Sequence, residues 1–207
     1  MLPGLSPLGG LPIEARFDDG LASSDGGLLL LREVEQRLGM ARRMAACIRD
    51  PRAPERVSHR LDEILRFRML MIAAGYEDGD DADTLRRDPL FKLAMQRLPD
   101  EADLCSQSTV SRTENLPDAR ALLRLGRAMV DHYCDSFRQV PRRSSWRAAQ
   151  FDTLRLRLLK LAARVRVLKR CVRLHLPQAT PDQAIFTLAL NIFGSVVNYP
   201  TQHQELA

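Results

Sequence analysis

The sequence predicts a mainly α protein, with a helical N-terminal region and a small C-terminal unit of helix, β-hairpin and helix. Three observations carry this. Apolar residues recur at three- and four-residue spacing through most of the first 139 positions, as in helices that bury one face. Between Arg164 and Leu176 the rhythm shortens to two, the period of a strand. The charge also reverses: residues 1–141 carry 20 Lys and Arg against 23 Asp and Glu, a balance of −3, whereas residues 142–207 carry 11 against 3, a balance of +8, together the +5 of the chain. Three regions follow: a flexible arm over residues 1–22, a helical region over 23–141 and a basic tail over 142–207.

The arm is rich in Pro, Gly and Leu and has no period. Order is expected from Ser23, Ser24 and Asp25, which offer N-cap oxygens to a helix carrying Leu28, Leu31, Val34 and Leu38 and closed by Gly39. A short helix over 40–47 ends before Asp50-Pro51. The broadest apolar stripe runs through Val57, Leu61, Ile64, Leu65, Phe67, Leu70, Met71 and Ile72, predicting the central helix of the N-terminal core, with Gly75 at its end. In the acidic loop Glu77 to Asp83 the glycine comes too early for a calcium loop and no closing Glu follows; its aspartates suit the cap of a short helix from Thr84 to Arg87. Pro89 starts a helix with Leu90, Leu93, Ala94 and Leu98 on one face, and Pro99 ends it.

Ser106 to Asn115 forms a short polar helix, in which Gln107, Ser108, Thr109, Ser111 and Arg112 carry groups able to hydrogen-bond base edges or phosphates. An ordinary capped helix explains the same pattern, because the link from the preceding helix is longer than a strict helix-turn-helix turn. Pro117-Asp118 opens a long helix ending near Gln139; its Leu122, Leu123, Leu125, Met129, Val130, Tyr133 and Phe137 are expected in the core. The stretch Val140 to Trp146 reads as a boundary.

Beyond it, Asp152 or Thr153 starts a helix reaching Ala163. Val165 and Val167 then alternate with Arg164 and Arg166, and Val172, Leu174 and Leu176 with Arg173 and His175, so a hairpin turning at 168–170 is expected. Asp182 to Val197 reads as an apolar helix. The tail's charge suits phosphates, through Arg155, Arg157, Lys160, Arg164, Arg166, Lys169, Arg170 and Arg173, although a solvated surface has the same composition.

Several function classes are excluded. The N-terminus lacks the basic and apolar segments of a secretory signal, and the apolar run Ala184 to Val197 is shorter than the ~18 residues of a membrane span, so a cytoplasmic protein is expected. Cys47, Cys105, Cys134 and Cys171 lie too far apart for a zinc or disulfide framework. His59, His132, His175 and His203 are scattered, and no glycine-rich phosphate loop occurs, so no small-molecule substrate, metal or cofactor is expected.

The runs SSDGGLLLLREVEQRLG, RDPRAPERVSHRLDEILRFRMLMIAAGYEDGDDADTLRRDPLFKLAM and SQSTVSRTEN, with LLRLGRAMVDHYCDSF, resemble the N-terminal region of the DDE group 1 transposases of bacterial insertion sequences. TLRLRLLKLAARVRVLKRCVRLHLPQATPDQAI is similar to the extreme C-terminal segment of that family. The resemblance implies a missing middle: an RNase-H-like sheet carrying three catalytic acids should follow the helix that ends near Gln139, and here Val140 to Trp146 holds no aspartate. No complete RNase-H-like sheet is expected, no catalytic residue is transferred, and the family's Mg²⁺ has no carboxylates to converge on it. The expectation is an internally deleted, catalytically inactive transposase derivative whose partners are DNA at insertion-sequence ends and an intact transposase or a second copy. A helical interaction or oligomerisation protein, a non-functional pseudogene product and, least favoured, an active strand transferase are the alternatives.

Overall fold

A computed structural model describes residues 5–19, 24–139 and 149–194. Helix α1 (Leu28–Leu38) is not capped as its sequence suggests. Its N-cap is Gly27, which has no side chain to offer, and the Gly26 and Gly27 N–H groups instead donate to the Leu161 and Leu159 carbonyls at 2.5 and 3.1 Å. The two N–H groups that lead into the helix are thus satisfied from the far end of the chain, while the Leu28 N–H donates to the Asp25 carbonyl at 3.0 Å. At the other end Gly39 adopts φ 62°, a left-handed conformation that glycine reaches without cost, and α2 (Met40–Ala45) follows at once. The Glu35 carboxylate joins the two helices by accepting from the Met40 and Ala41 N–H groups at 3.1 and 3.0 Å.

A single 3₁₀ turn (Pro54–Arg56) leads to α3 (Leu61–Ala73), the central helix expected from the widest apolar stripe. It buries Leu61, Ile64, Phe67, Leu70 and Met71. Phe67 meets Phe91 edge to face at 5.8 Å between centroids. Phe91 belongs to α5 (Pro89–Ala94), which starts at Pro89 as expected, with Asp88 accepting from the Leu90 and Phe91 N–H groups at 2.8 and 3.0 Å. Between them lies α4 (Ala82–Leu85). Next come α6 (Gln107–Glu114), against α3 and α4, and α7 (Ala119–Gln139), which touches α2.

In α7 the structure corrects the sequence reading. Leu122, Leu123, Met129, Val130 and Tyr133, expected in the core, are exposed, at 45% for Met129 and 68% for Leu123; Phe137 lies outside the described side chains. The side turned inward carries the small Ala121 with the half-buried Leu125, Ala128 and His132, and Arg124 reaches across to the Cys47 carbonyl at 3.0 Å. Periodicity finds the apolar face of a helix correctly but does not say whether anything covers it.

After residues 140–148, where the expected boundary lies outside the described residues, α8 (Phe151–Leu154) runs into a π-helical turn (Arg155–Leu159). The expected hairpin follows as β2 (Arg164–Val167) and β3 (Val172–Pro177), antiparallel, its turn closed by the Leu168 N–H on the Cys171 carbonyl at 2.8 Å. Helix α9 (Gln183–Gly194) lies against α1.

Of the arm expected over residues 1–22, the described part, residues 5–19, is not free. Ile13–Asp19 forms strand β1, parallel to β3, so the sheet order is β1-β3-β2 with β3 central. Ile13 pairs with Val172 and Ala15 with Leu174, and all four side chains are buried. Further out, Glu33 of α1, itself buried beside Arg32, accepts from the Ser6 N–H at 3.0 Å and from the Ser6 hydroxyl at 2.6 Å. Ile13, Ala15 and Phe17 alternate with Glu14, Arg16 and Asp18, a strand rhythm hidden by the Pro- and Gly-rich composition around it, and its partner lies at the other end of the chain. One buried cluster draws on Leu8 and Ile13, on α1, α3 and α5, and on Leu161, Leu174 and Phe186. The protein is mainly α, and among the described residues its three-stranded sheet falls short of a complete RNase-H-like sheet.

Candidate nucleic-acid interface

Helix α6 sits with Val110 and Thr113 buried against its neighbours. Ser106 is the N-cap residue, but its hydroxyl turns to Ser108 and Thr109, at 3.1 and 3.2 Å, and the Asp83 carboxylate accepts from the Gln107 N–H at 3.1 Å. At the other end Glu114 is held by Arg68 at 2.6 Å. Ser108 and Arg112 are exposed, while Gln107, Thr109 and Ser111 are half-buried.

Thr109, Ser111 and Arg112 open onto a groove of about 600 Å³ whose opposite wall is Arg52, Arg56 and Ser58. Gln107 and Ser108 stay outside it. Among the described residues no Asp or Glu lines this groove. Arg52 is occupied by Asp50, at 2.7 and 2.8 Å, and this hydrogen bonding lowers the Asp50 pKa and raises that of Arg52. Arg56 and Arg112 are exposed and have no acidic partner among the described residues. Two guanidinium groups across a groove edged with hydroxyls suit the anionic oxygens of a phosphate chain. Arg52, Arg56 and Ser58 were not among the sequence candidates. Their signal is the spacing of arginines in RDPRAPER, which hydrophobic periodicity passes over because the segment is a loop and a 3₁₀ turn.

Of the eight basic candidates of the tail, four have an acidic partner that can be named. Arg155 bonds Asp152 at 2.9 Å and lies against Gly75. Arg157 grips Asp182 with two nitrogens, which raises the Arg157 pKa. Lys160 lies 2.7 Å from Asp25, and Arg173 3.2 Å from Glu14. These four are engaged inside the molecule. Arg164, Arg166, Lys169 and Arg170 are exposed along the hairpin, with Val167 and Leu168 exposed between them.

Among the described residues no three His, Cys, Asp or Glu side chains gather where they could hold a metal ion. No described helix is long and apolar enough to cross a membrane.

A helical platform with arginines facing a polar groove, joined to a basic hairpin, has the parts that nucleic-acid-binding proteins use. The family model for the transposase DDE domain group 1 matches residues 5–144 and 139–196, and the chain belongs to that family. No curated protein and no solved structure matches it.

Proposed function

We propose that this chain is an internally deleted transposase that binds DNA at insertion-sequence ends and does not cut or join strands. The observation that carries the reading is the form of the family match. It comes as two segments that meet at residues 139–144, at the end of α7, where the resemblance places the start of the catalytic sheet. Several of the described acids are spent on arginines and helix ends, in keeping with a loss of chemistry: Asp50 on Arg52, Asp182 on Arg157, Asp88 on the start of α5. Contact to bases comes from Thr109, Ser111 and Arg112 of α6, and contact to phosphates from the hairpin cations. Such a protein works in the cytoplasm, where its DNA is, and needs no cofactor.

Filter binding of a terminal-repeat duplex over a salt series tests the binding half. Retention that falls linearly on a log–log plot against salt is expected, and no salt-dependent retention overturns it. Incubation of the same duplex with the chain and Mg²⁺ tests the other half: the duplex is expected to stay intact, and cleavage overturns the inactive reading.

A further inference from the structure

The groove beside α6 does not end at Arg52. The same side chain lines a second groove, of about 680 Å³, together with Arg42 and Arg60. Arg42, Arg60 and Asp62 in turn line a third, of about 550 Å³, which reaches Arg66 and Arg97. Shared walls make the three adjoin. Along them stand seven arginines against three carboxylates, Asp50, Asp62 and Glu63, a local balance of +4 in a region whose total is −3. The acid of that region therefore lies elsewhere, much of it in the loop from Glu77 to Asp83. Four of the arginines are paired: Arg52 with Asp50, Arg60 with Asp62, Arg66 with Glu35, Arg97 with Glu63. The Arg60 side chain is 79% exposed even so, leaving guanidinium hydrogens for a second acceptor. Arg42, Arg56 and Arg112 are exposed without an acidic partner among the described residues.

We infer that the three grooves form one track for the sugar–phosphate backbone of a nucleic acid, running from α6 past the 3₁₀ turn and along α2 and α3 to the end of α5. The inference rests on the reading that α6 faces DNA, and it assigns phosphate binding to residues that the overall charge of the N-terminal region hides. A track of this kind positions the duplex and does not read its sequence.

The test is the salt dependence of binding to two duplexes of equal length, one a terminal repeat and one unrelated. Three forms of the full chain are compared: unsubstituted, Arg42→Gln with Arg56→Gln, and Lys169→Gln with Arg170→Gln. All four side chains are exposed, and circular dichroism confirms that each variant folds. Removing one cation that neutralises a phosphate lowers the slope of log affinity against log salt by about 0.9, so the first double variant is expected to lower it by about 1.8 on both duplexes alike. If that variant titrates as the unsubstituted chain does while the hairpin variant loses affinity, the track is overturned and DNA binding stands. If the unsubstituted chain shows no salt-dependent binding, both fall.

Discussion

Lys160 Nζ lies 2.7 Å from Asp25 Oδ1, so the residue that follows the π-helical turn, on the way to β2, is fastened to the residue that precedes the glycine pair at α1. Asp25 holds φ 95°, its side chain is 5% exposed, and its other oxygen accepts from the Tyr76 hydroxyl at 2.8 Å. The Lys160 ammonium stands 4.1 Å from the centre of the Tyr76 ring. One carboxylate therefore ties α1, the end of α3 and the C-terminal unit together.

This cluster makes the protein alkali-sensitive. Burial is the largest influence on the Lys160 ammonium and disfavours it, but the attraction of Asp25 and the contact with Tyr76 together outweigh it and the lysine pKa is raised. Burial, followed by Asp25, raises the Tyr76 pKa as well. Both groups hold their proton more tightly folded than unfolded, so their stabilisation is complete below about pH 10 and is lost as pH rises through the raised folded values. Lys160→Met is expected to remove part of that slope and to cost about 1–3 kcal/mol at pH 7, because it strips a buried carboxylate of a partner. Urea unfolding at pH 7 and pH 11 measures both.

Gly27→Ala is expected to loosen the C-terminal unit. Its Cβ would stand 1.9 Å from the Leu158 carbonyl oxygen and 2.4 Å from the Leu159 Cα, and both are backbone atoms that no rotamer change removes. The backbone φ of −70° suits alanine, so the effect is purely steric. A destabilisation of about 1–3 kcal/mol and earlier proteolysis within the C-terminal unit are expected; unchanged protection would show that this close approach does not hold the two parts together.

The cysteines differ in reactivity. Burial pushes the Cys105 thiol up to about 12, leaving almost no thiolate at neutral pH, and Cys171 is buried as well. Cys47 is half-buried, its sulfur 3.4 Å from the Arg43 carbonyl. Alkylation of the native chain, mapped by mass, is expected at Cys47, with Cys105 and Cys171 modified only in denaturant.

The exposed stripe of α7 predicts an unusual tolerance. Leu123→Lys is expected to change stability by no more than about 0.5 kcal/mol, whereas Ile64→Ala in α3 costs about 2–5 kcal/mol. Thermal melts of the two variants compare a leucine in water with an isoleucine in the core.

These residues also mark what could be read in advance. The Ile64, Phe67, Leu70 and Met71 stripe gave α3, and the two-residue rhythm from Val165 to Leu176 gave the hairpin, because each element announces itself within a dozen neighbouring positions. Of the candidate DNA contacts, α6 was legible as a helix because its polar composition is local. The wall facing it, Arg52, Arg56 and Ser58, was not, since a groove is made by segments that meet only after folding.

The sequence by itself determined the helices, the hairpin, the charge reversal near residue 141 and the resemblance to a transposase. Only the tertiary structure decided that Ile13–Asp19 is a strand beside β3, that the glycine pair before α1 bonds the Leu159 and Leu161 carbonyls, that Arg155, Arg157, Lys160 and Arg173 pair with acids of the chain and that α7 keeps its apolar stripe in water. Period and propensity act between neighbours along the chain, whereas a parallel pairing, a backbone cap or a covered face depends on which distant surfaces meet, and no short window of sequence contains both partners.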